Sequence, residues 1–455
     1  MRRQTEAGSA SAPFWGVVEG FYGRPWTPAQ RAELLGWMGE AGLNSYLYAP
    51  KDDPKHRLYW NDRYSAAEAR DLGSLIQRSQ RNGIRFLYGL APGFKAEYTR
   101  SQMEGFLRRK LSQLLSLGCR DFALLFDDIP PEGSEANVRR YGSWAGAHIT
   151  WTHATLEWLR GVAPEARLLF CPTPYCGSMA GDVRTNRYLR EVGERLAPEV
   201  DVFWTGRDIV SESIGVGEIR TLAGVLRRPP VLWDNLFAND YDLRRIHLGP
   251  YDRRPAALKS EVRGILINPN CEYRANFIPL RSFAAYVRSG RGWDVSRSYE
   301  AAVREWLPSF RDRMGGRPSP SELRLLADAL HLPYAAGDGG ERFLRDATAM
   351  VRGGRRQRVA ARRRFETTAA TLARWQTRIT ELEDRELSYT LYRFVWELKE
   401  EVDLLQRFVA WSDRPARTRG PFRSIFHQPG TYRGGLVARL QRLLEVSGDG
   451  SIAPA

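Results

Sequence analysis

The chain has 455 residues, 43% of them hydrophobic, which is enough for one large domain or two ordinary ones and excludes a protein that is disordered as a whole. Its formal charge of +15 raises nucleic acid as a partner, but the excess is arginine spread along the chain, without a recognised nucleic-acid-binding motif. No apolar run approaches the roughly 20 residues of a membrane helix. We therefore expect neither a nucleic-acid-binding protein nor a membrane protein.

The N-terminal segment MRRQTEAGSASAPF is basic and then polar, without the apolar stretch of a signal peptide. Residues 1–12 are predicted to form a disordered tail. The four cysteines lie beside strand-like runs and form no CxxC pair, which predicts reduced thiols. They are Cys119, Cys171, Cys176 and Cys271. Together these features predict a cytoplasmic protein.

Eight short apolar runs recur between residue 14 and about residue 270. They are FWGVVEGFYG, NSYLYAPKDD, IRFLYGLAPG, DFALLFDDI, RLLFCPTPYCG, VDVFWTGRD, PVLWDNLFAND and GILINPNCE. The helix-like stretches between them are Pro28 to Ala41, Ala66 to Asn82, Gln102 to Leu117, Gly142 to Leu159, Tyr188 to Leu196 and Gly217 to Leu226. Uninterrupted apolar strands that alternate with helices indicate a parallel sheet covered on both faces.

An open doubly wound sheet would contain the same units. However, nearly every run ends in polar, aromatic or glycine residues, as in barrel enzymes, and neither a GxGxxG nor a Walker loop is present. The sequence therefore predicts an α/β fold, a (β/α)8 TIM barrel, over residues 13–290.

After about residue 290 the apolar residues follow helical spacing, and the loops GGRPSPS and AAGDGG interrupt them. We predict an all-α helical domain over residues 291–446 and a flexible tail over residues 447–455. The arginine-rich segment VRGGRRQRVAARRRFE within this domain is either a solvated helix face or a contact for an acidic partner.

The fourth run ends in two adjacent carboxylates, Asp127 and Asp128. The carboxyl ends of barrel strands face the active-site mouth, and unpaired buried carboxylates cost several kcal/mol, so the pair suits chemistry better than a core. A pair that caps the following loop is the structural alternative. Glycosidases with two catalytic carboxylates place them on opposite sides of the scissile bond, about 5 to 9.5 Å apart, which neighbours on one strand hardly achieve.

The adjacency fits a mechanism with a single acid/base better. A 2-acetamido group on the sugar can attack the anomeric carbon itself, with an effective molarity that reaches roughly 10⁵ M or more. One aspartate then orients the acetamido N–H, and the other protonates the leaving oxygen and later activates water. Such an enzyme needs no nucleophile of its own.

The other strand ends supply further candidates, each with a structural alternative. Gly20 and Gly23 allow a ligand to approach the backbone closely, and Glu19 beside them is interpreted as structural more than catalytic. Lys51 either holds a sugar hydroxyl or pairs with the aspartates that follow it. The remaining candidates are Tyr175 after strand five, Trp233, Asn235 and Asp240 after strand seven, and Asn268 after strand eight.

The six histidines form neither an HxH nor an HExxH pattern, so we expect no metal site and no cofactor. They are His56, His148, His153, His247, His331 and His427.

Seven blocks of the sequence closely resemble the protein O-GlcNAcase family, glycoside hydrolase family 84. They are GVVEGFYGRPW, LNSYLYAPKDDPKHR, CRDFALLFDDI, FCPTPYCG, VLWDNLFANDYD, LGPY and NPNCE, in order over about residues 14 to 290. The resemblance implies a barrel that removes β-linked N-acetylglucosamine by substrate-assisted, retaining hydrolysis through an oxazoline intermediate, without a metal. It also implies that Asp127 assists the acetamido group and that Asp128 is the general acid/base.

The same resemblance implies roles for the other candidates. Sugar hydroxyls would be bound by Gly20, Lys51, Asp240 and Asn268, and the anomeric centre and acetamido pocket would be surrounded by Tyr175, Trp233 and Asn235. The chain departs from the family after strand three, where it reads PGFKAEY with Lys95 instead of an aspartate, so the rim that faces a polypeptide is expected to differ. The C-terminal helices resemble the family's stalk-like region in character only, which leaves a homodimer through them as a hypothesis.

The sequence thus predicts an exo-acting β-N-acetylglucosaminidase for N-acetylglucosaminylated proteins or small glycosides. A hyaluronidase-like endo-hexosaminidase is the alternative enzyme and needs a long open cleft. A non-catalytic glycan-binding barrel is disfavoured because both aspartates and Tyr175 are present. The natural aglycone is left open between a glycoprotein, a cell-wall fragment and a small glycoside.

Overall fold

The computed structural model describes residues 12–93, 101–130, 134–290, 292–424 and 434–455, and the chain folds into two compact units. The first unit comprises the described residues up to Asn235 together with Arg253–Asn268. The second unit comprises Leu236–Asp252 and, from Pro269 onwards, the rest of the described chain.

Eight parallel strands of the first unit close into a barrel in chain order. They are β1 (Phe14–Glu19), β2 (Ser45–Tyr48), β3 (Arg85–Leu90), β4 (Asp121–Leu125), β5 (Arg167–Cys171), β6 (Asp201–Trp204), β7 (Val231–Asp234) and β8 (Gly264–Ile267). Pairing of β1 with β8, with Phe14 opposite Gly264, completes the closure. All eight predicted strands are present, and the predicted TIM barrel is confirmed.

Helices connect these strands. They are α1 (Pro28–Glu40), α2 (Ala66–Arg81), α3 (Ser101–Ser116), α4 (Glu135–Tyr141), α5 (Trp144–Val162), α6 (Gly177–Ala180), α7 (Arg187–Arg195) and α8 (Val216–Leu226). A reciprocal cap starts α1, because Thr27 Oγ1 accepts from the Gln30 N–H and Gln30 Oε1 accepts from the Thr27 N–H. The same pair of bonds joins Ser65 and Glu68 at the start of α2.

The interior of the barrel is filled by side chains, and one end is closed by an aromatic ring. Phe14, at the start of β1, is completely buried, and three guanidinium groups lie over its ring. The centroid distances are 5.1 Å for Arg85, 5.6 Å for Arg167 and 5.8 Å for Arg263, all at or just before strand starts. A bound substrate must therefore enter at the opposite end, where the strands finish.

The second unit is mainly helical. Its elements are α9 (Phe277–Arg288), α10 (Val295–Trp306), α11 (Pro320–Ala329), α12 (Asp338–Arg352), α13 (Arg355–Glu381), α14 (Arg385–Ser412), α15 (Gly435–Gln441), β9 (Leu444–Val446) and β10 (Ile452–Pro454). Short 3-10 helices lie at Ala256–Ser260 in the first unit and at Tyr273–Asn276, Leu307–Phe310 and Ala416–Thr418 in the second. Long helices α13 and α14 share one apolar core that includes the buried Trp375 and Phe394. None of the described helices is long and apolar enough to cross a membrane.

Two predicted boundaries differ from the structure. The first unit ends at Asn268 instead of residue 290, and Leu236–Asp252 also belongs to the second unit. Helix α9 lies in the second unit and packs on α10, where the rings of Phe277 and Trp306 stack with centroids 5.8 Å apart. The predicted flexible tail 447–455 instead contains β10, which pairs antiparallel with β9 and buries Ile452. The predicted tail 1–12 lies outside the described residues except for Ala12.

The arginine-rich segment runs from the end of α12 into the first turns of α13, and its charge is partly neutralised within its own unit. Arg358 and Arg362 both pair with Asp413, and Arg364 pairs with Asp346. Its contact with an acidic partner stays a prediction. None of the four cysteines, all of which lie in the described part of the chain, forms a disulfide, and three of them are buried.

Candidate active site

The two candidate aspartates follow β4 at the open end of the barrel. The Phe126 N–H donates to the Cys171 carbonyl at 3.0 Å, so the pairing with β5 continues to the residue before Asp127. At Asp128 the backbone turns into the left-handed region, with φ at +51°, which aspartate tolerates better than most residues. The two adjacent carboxylates consequently enter different surroundings.

Asp127 is buried and forms an ion pair with Lys51. Nζ of Lys51 lies 2.6 Å from Oδ2 of Asp127 and 3.7 Å from Oδ2 of Asp128. Burial alone would lower the pKa of Lys51, but these two carboxylates raise it above its usual value, so the ammonium is charged. The other oxygen of Asp127, Oδ1, is buried and has no hydrogen-bond partner among the described residues. A ligand N–H is the group that would satisfy it.

The predicted alternative for Lys51, pairing with the aspartates that follow it, is wrong. Asp53 instead accepts hydrogen bonds from Tyr48 Oη at 2.9 Å and from Tyr64 Oη at 2.6 Å. Asp52 is exposed. Lys51 is therefore directed towards the carboxylates that follow β4.

Asp128 is more exposed and lies between two phenols. Tyr175 Oη donates to Oδ1 at 3.1 Å, and Tyr22 Oη donates to Oδ2 at 3.0 Å. Burial and the neighbouring carboxylate of Asp128 raise the pKa of both tyrosines, which keeps both phenols protonated and able to donate. The side chain of Asp128 is 27% exposed, compared with 10% for Asp127, so solvent and a leaving group can reach it.

Trp233 forms a wall of the same site. A Cβ atom on Gly20 would lie 2.2 Å from Cζ2 of Trp233, so only glycine allows the backbone after β1 to approach the indole this closely. Nζ of Lys51 lies 5.8 Å from the centroid of the Trp233 ring. The ring thus reaches the ion pair of Asp127 and Lys51, and its apolar face suits a methyl group or a sugar ring.

Two asparagines extend the site across β7 and β8. Asn268 Nδ2 donates to Asn235 Oδ1 at 2.9 Å, and Asn235 Nδ2 donates to the Ile209 carbonyl at 2.7 Å. Oδ1 of Asn268 is buried without a hydrogen-bond partner among the described residues, like Oδ1 of Asp127. The barrel mouth thus contains two buried acceptors that a ligand could satisfy.

Asp240 is the one predicted site residue that belongs to the second unit. It lies half-buried in the segment Leu236–Asp252, which follows β7. Its contact with a sugar hydroxyl stays a prediction.

Residues 15–315 match the model of a family described as beta-N-acetylglucosaminidase. The chain belongs to this family. Protein O-GlcNAcase of Mus musculus is 43% identical over 284 residues, which cover 62% of this chain and 31% of the mouse protein. The protein of the same name in Rattus norvegicus gives the same figures. This chain thus spans only about a third of the length of these mammalian relatives.

The likeness to a solved structure extends beyond the barrel. A substituted form of the O-GlcNAc hydrolase of Thermobaculum terrenum superposes with a TM-score of 0.78 at 26% identity. The superposition covers 88% of this chain and 84% of that one. The resemblance to the O-GlcNAcase family that the sequence predicted is therefore confirmed.

In this member of the beta-N-acetylglucosaminidase family, Glu19 is structural. Its carboxylate accepts from Arg31 Nε at 2.8 Å, from Arg31 Nη2 at 2.6 Å and from the Trp26 N–H at 3.1 Å, and it also contacts Tyr46 Oη. Both carboxylate oxygens are thus occupied, and the residue is completely buried. The structural interpretation of Glu19 is confirmed.

A buried ion pair beneath the site was not predicted. Asp234, between Trp233 and Asn235 in sequence, accepts from Arg254 Nε at 2.8 Å and from Arg254 Nη2 at 2.7 Å, and both side chains are fully buried. Arg254 also donates to the carbonyls of Ser211 and Glu212 at 2.8 and 3.0 Å. One guanidinium therefore fixes β7 to the loop that follows β6. The aspartate that ends the run VLWD was the only sequence feature that indicated this ion pair.

In the described parts of the chain, no group of three or more His, Cys, Asp or Glu side chains is arranged to hold a metal ion. His56 is buried with Nδ1 2.7 Å from the Gly89 carbonyl, and burial lowers its pKa to about 3. His148 stacks on Phe126 with centroids 4.1 Å apart. His427 and Lys95 lie outside the described residues.

Proposed function

We propose that this protein is a retaining exo-β-N-acetylglucosaminidase that uses the acetamido group of its substrate as the nucleophile. The proposal rests on one observation, the different burial and hydrogen-bond partners of two neighbouring carboxylates. Asp127 is buried in an ion pair, and one of its oxygens has no hydrogen-bond partner among the described residues, whereas Asp128 is partly exposed between two phenols. This arrangement suits one residue that orients a substrate amide and another that transfers a proton.

Asp127 is assigned to the acetamido group. Its buried Oδ1 accepts the acetamido N–H, which becomes a stronger donor as the carbonyl oxygen attacks the anomeric carbon and positive charge builds on the amide. The acetamido oxygen forms a bond to the anomeric carbon, and the bond that breaks joins this carbon to the leaving oxygen. The N–H proton passes to Oδ1 of Asp127, which leaves a neutral oxazoline ring, and it returns to the nitrogen when water opens the ring. Trp233 provides the apolar wall for the acetamido methyl.

Asp128 is assigned to proton transfer. It protonates the leaving oxygen while the oxazoline forms, and it then removes a proton from the water that opens the ring. Attack by the acetamido oxygen from one face and by water from the other returns the anomeric carbon to its original configuration. Because the substrate supplies the nucleophile, the mechanism needs no second carboxylate across the scissile bond.

The sugar hydroxyls are assigned to Gly20, Lys51, Asp240 and Asn268, and Tyr175 and Asn235 to the surroundings of the anomeric centre. The unbonded Oδ1 of Asn268 supports its assignment, since it is an acceptor without a protein donor among the described residues. For the aglycone we propose proteins modified with O-linked N-acetylglucosamine, or small glycosides of this sugar. The names of the mouse relative and of the Thermobaculum terrenum hydrolase support the first choice.

Two further predictions belong to the proposal. A cytoplasmic location is supported by four cysteines that form no disulfide in the described part of the chain, which fits a reducing compartment. A homodimer through the helical unit is proposed on the resemblance alone.

Hydrolysis of 4-methylumbelliferyl N-acetyl-β-glucosaminide tests the proposal. The wild type should release the fluorophore, Asp127→Asn should lose about a hundredfold or more in kcat/KM, and an N-trifluoroacetyl substrate should slow the wild type sharply because its carbonyl oxygen is a poor nucleophile. No turnover by the wild type would indicate a non-catalytic glycan-binding barrel or, if hyaluronan is cleaved, an endo-hexosaminidase. An equal rate with the trifluoroacetyl substrate would contradict acetamido participation.

A further inference from the structure

Arg57 lies beside Asp128 and is not among the predicted site residues. It belongs to the loop after β2, and its Nη2 donates to the backbone carbonyl of Asp128 at 3.2 Å. Its Nη1 contacts Tyr22 Oη, and its guanidinium carbon lies 5.5 Å from the centroid of the Tyr22 ring. Arg57 therefore joins the loops that follow β1, β2 and β4 at the partly exposed carboxylate.

The contact with Tyr22 fixes the direction of a hydrogen bond. A guanidinium group has donors only, so the oxygen of Tyr22 must accept from Arg57. The single O–H of this phenol is then available for Oδ2 of Asp128, which lies 3.0 Å away. A phenol that accepts from a cation is also a stronger donor, since hydrogen bonds in a chain polarise one another.

The contact with the carbonyl supports an unusual backbone conformation. Asp128 has a φ of +51°. For a residue other than glycine, this left-handed conformation costs on the order of 1 kcal/mol, so contacts with the surroundings must hold the backbone there. The bond from Arg57 Nη2 is one such restraint. Arg57 thus contacts the backbone of Asp128 directly and its side chain through Tyr22. None of the bonds described above joins Arg57 to Asp127.

From these contacts we infer that Arg57 is a positioning residue for proton transfer to the leaving oxygen, acting through Tyr22 and the backbone of Asp128. The inference rests on the proposed function. It separates proton donation from acetamido participation, because Arg57 contacts the backbone of Asp128, whereas the Nζ of Lys51 lies closer to Asp127 than to Asp128. The effect of Arg57 should therefore depend on how much the leaving group needs a proton.

The test compares two aryl N-acetyl-β-glucosaminides by kcat/KM. Dinitrophenolate leaves without protonation, whereas unsubstituted phenolate needs the acid. We expect Arg57→Gln to lose about 10- to 100-fold on the phenyl substrate and less than about threefold on the dinitrophenyl substrate. Arg57→Lys keeps the charge but lacks the two Nη groups that contact Tyr22 and the Asp128 carbonyl. Its kcat/KM on the phenyl substrate should therefore lie between those of Arg57→Gln and the wild type. Arg63→Gln, which removes an exposed arginine from the same loop, is the matched control and should behave as the wild type.

Tyr22→Phe is a second variant that tests the positioning role of Arg57. It removes the donor to Oδ2 and should show the same selectivity for the phenyl substrate, and the double variant with Arg57→Gln should lose less than the product of the two single losses. Equal losses on both substrates, or no loss on either, would overturn the positioning role. A wild type that hydrolyses neither substrate would instead contradict the proposed function.

Discussion

Lys51 forms its ion pair with Asp127, a residue 76 positions away, and not with the aspartates that follow it in the chain. The two side chains are only 4% and 10% exposed. Removal of either partner would leave the other as a buried charge without its counter-ion, which costs far more than the pair contributes. The same ion pair therefore stabilises the fold at the barrel mouth and holds one carboxylate of the proposed active site.

Lys51→Met should lower the free energy of unfolding by about 3–5 kcal/mol and abolish glycosidase activity, because Asp127 loses its buried partner. Unfolding in urea and kcat/KM measure the two effects. The raised pKa of Lys51 lies above its unfolded value, so its stabilisation is complete below pH about 10.5 and is lost only as the pH rises further. The loss should consequently be the same at pH 6 and pH 8. Lys55→Met, which removes a more exposed pair with Glu68, should cost about 1 kcal/mol or less.

Gly20→Ala should raise KM about tenfold or more, because the new Cβ would lie 2.2 Å from Cζ2 of Trp233 and displace the indole. Overpacking of this kind also costs about 1–3 kcal/mol of stability. Steady-state kinetics and thermal unfolding check both effects. Gly36→Ala is the control, since a Cβ there meets open space on α1 and should stabilise the protein by roughly 0.5–1 kcal/mol. An unchanged KM in Gly20→Ala would show that the wall formed by Trp233 does not limit binding.

Arg254→Met should destabilise the protein by about 3–5 kcal/mol, since Asp234 would become an unpaired buried carboxylate and two carbonyls of the loop after β6 would lose their donor. Thermal unfolding measures the loss. Arg139→Met removes an exposed ion pair with Glu135 on α4 and should change stability by less than about 0.5 kcal/mol. Similar midpoints for the two variants would contradict a clamping role for Arg254.

Glu401→Gln should stabilise the protein at pH 8 by on the order of 2 kcal/mol and leave it nearly unchanged at pH 5. Burial, aided by Glu400 and Glu397, raises the pKa of Glu401 to about 7, against the bond from Gln441. Since the folded pKa lies above the unfolded one, the contribution of this carboxyl is complete below about pH 4.5 and is lost as the pH rises through 7.

Thermal unfolding of the helical unit at the two pH values measures the effect of Glu401→Gln. Glu445→Gln removes an exposed carboxylate of the same unit and controls for the change in net charge. Equal gains at pH 5 and pH 8 would contradict the assigned cause.

The barrel could be predicted because each strand is a short, uninterrupted apolar run whose end changes abruptly in character. Very short elements, and elements that depend on contacts distant in the chain, could not be predicted from the sequence. The seven residues of α4 are too short to show a helical period, and Ser134, whose hydroxyl accepts from the Asn137 N–H at 3.2 Å, is the signal for its start. Ile452 becomes part of a core only through the pairing of β10 with β9.

The same limit applies to the site. Strand ends place most of the candidate residues, but a sequence does not show which side chains meet across the barrel. Tyr22 lies 106 positions from Asp128, its hydrogen-bond acceptor, and the closed barrel brings the two together. Arg254 lies 20 positions from Asp234, and the fold of the connection between β7 and β8 brings this donor to its acceptor.

The left-handed backbone at Asp128 restricts what an engineer or an evolving lineage can place there. Glycine adopts this conformation without strain, and asparagine and aspartate adopt it at a lower cost than glutamate or alanine. An exchange of aspartate for glutamate, which preserves the acid at many other enzyme positions, would here disturb the chain itself. Asparagine therefore removes the acid while it keeps both the side-chain shape and the turn, but its Nδ2 cannot accept one of the two hydrogen bonds that Tyr22 and Tyr175 donate.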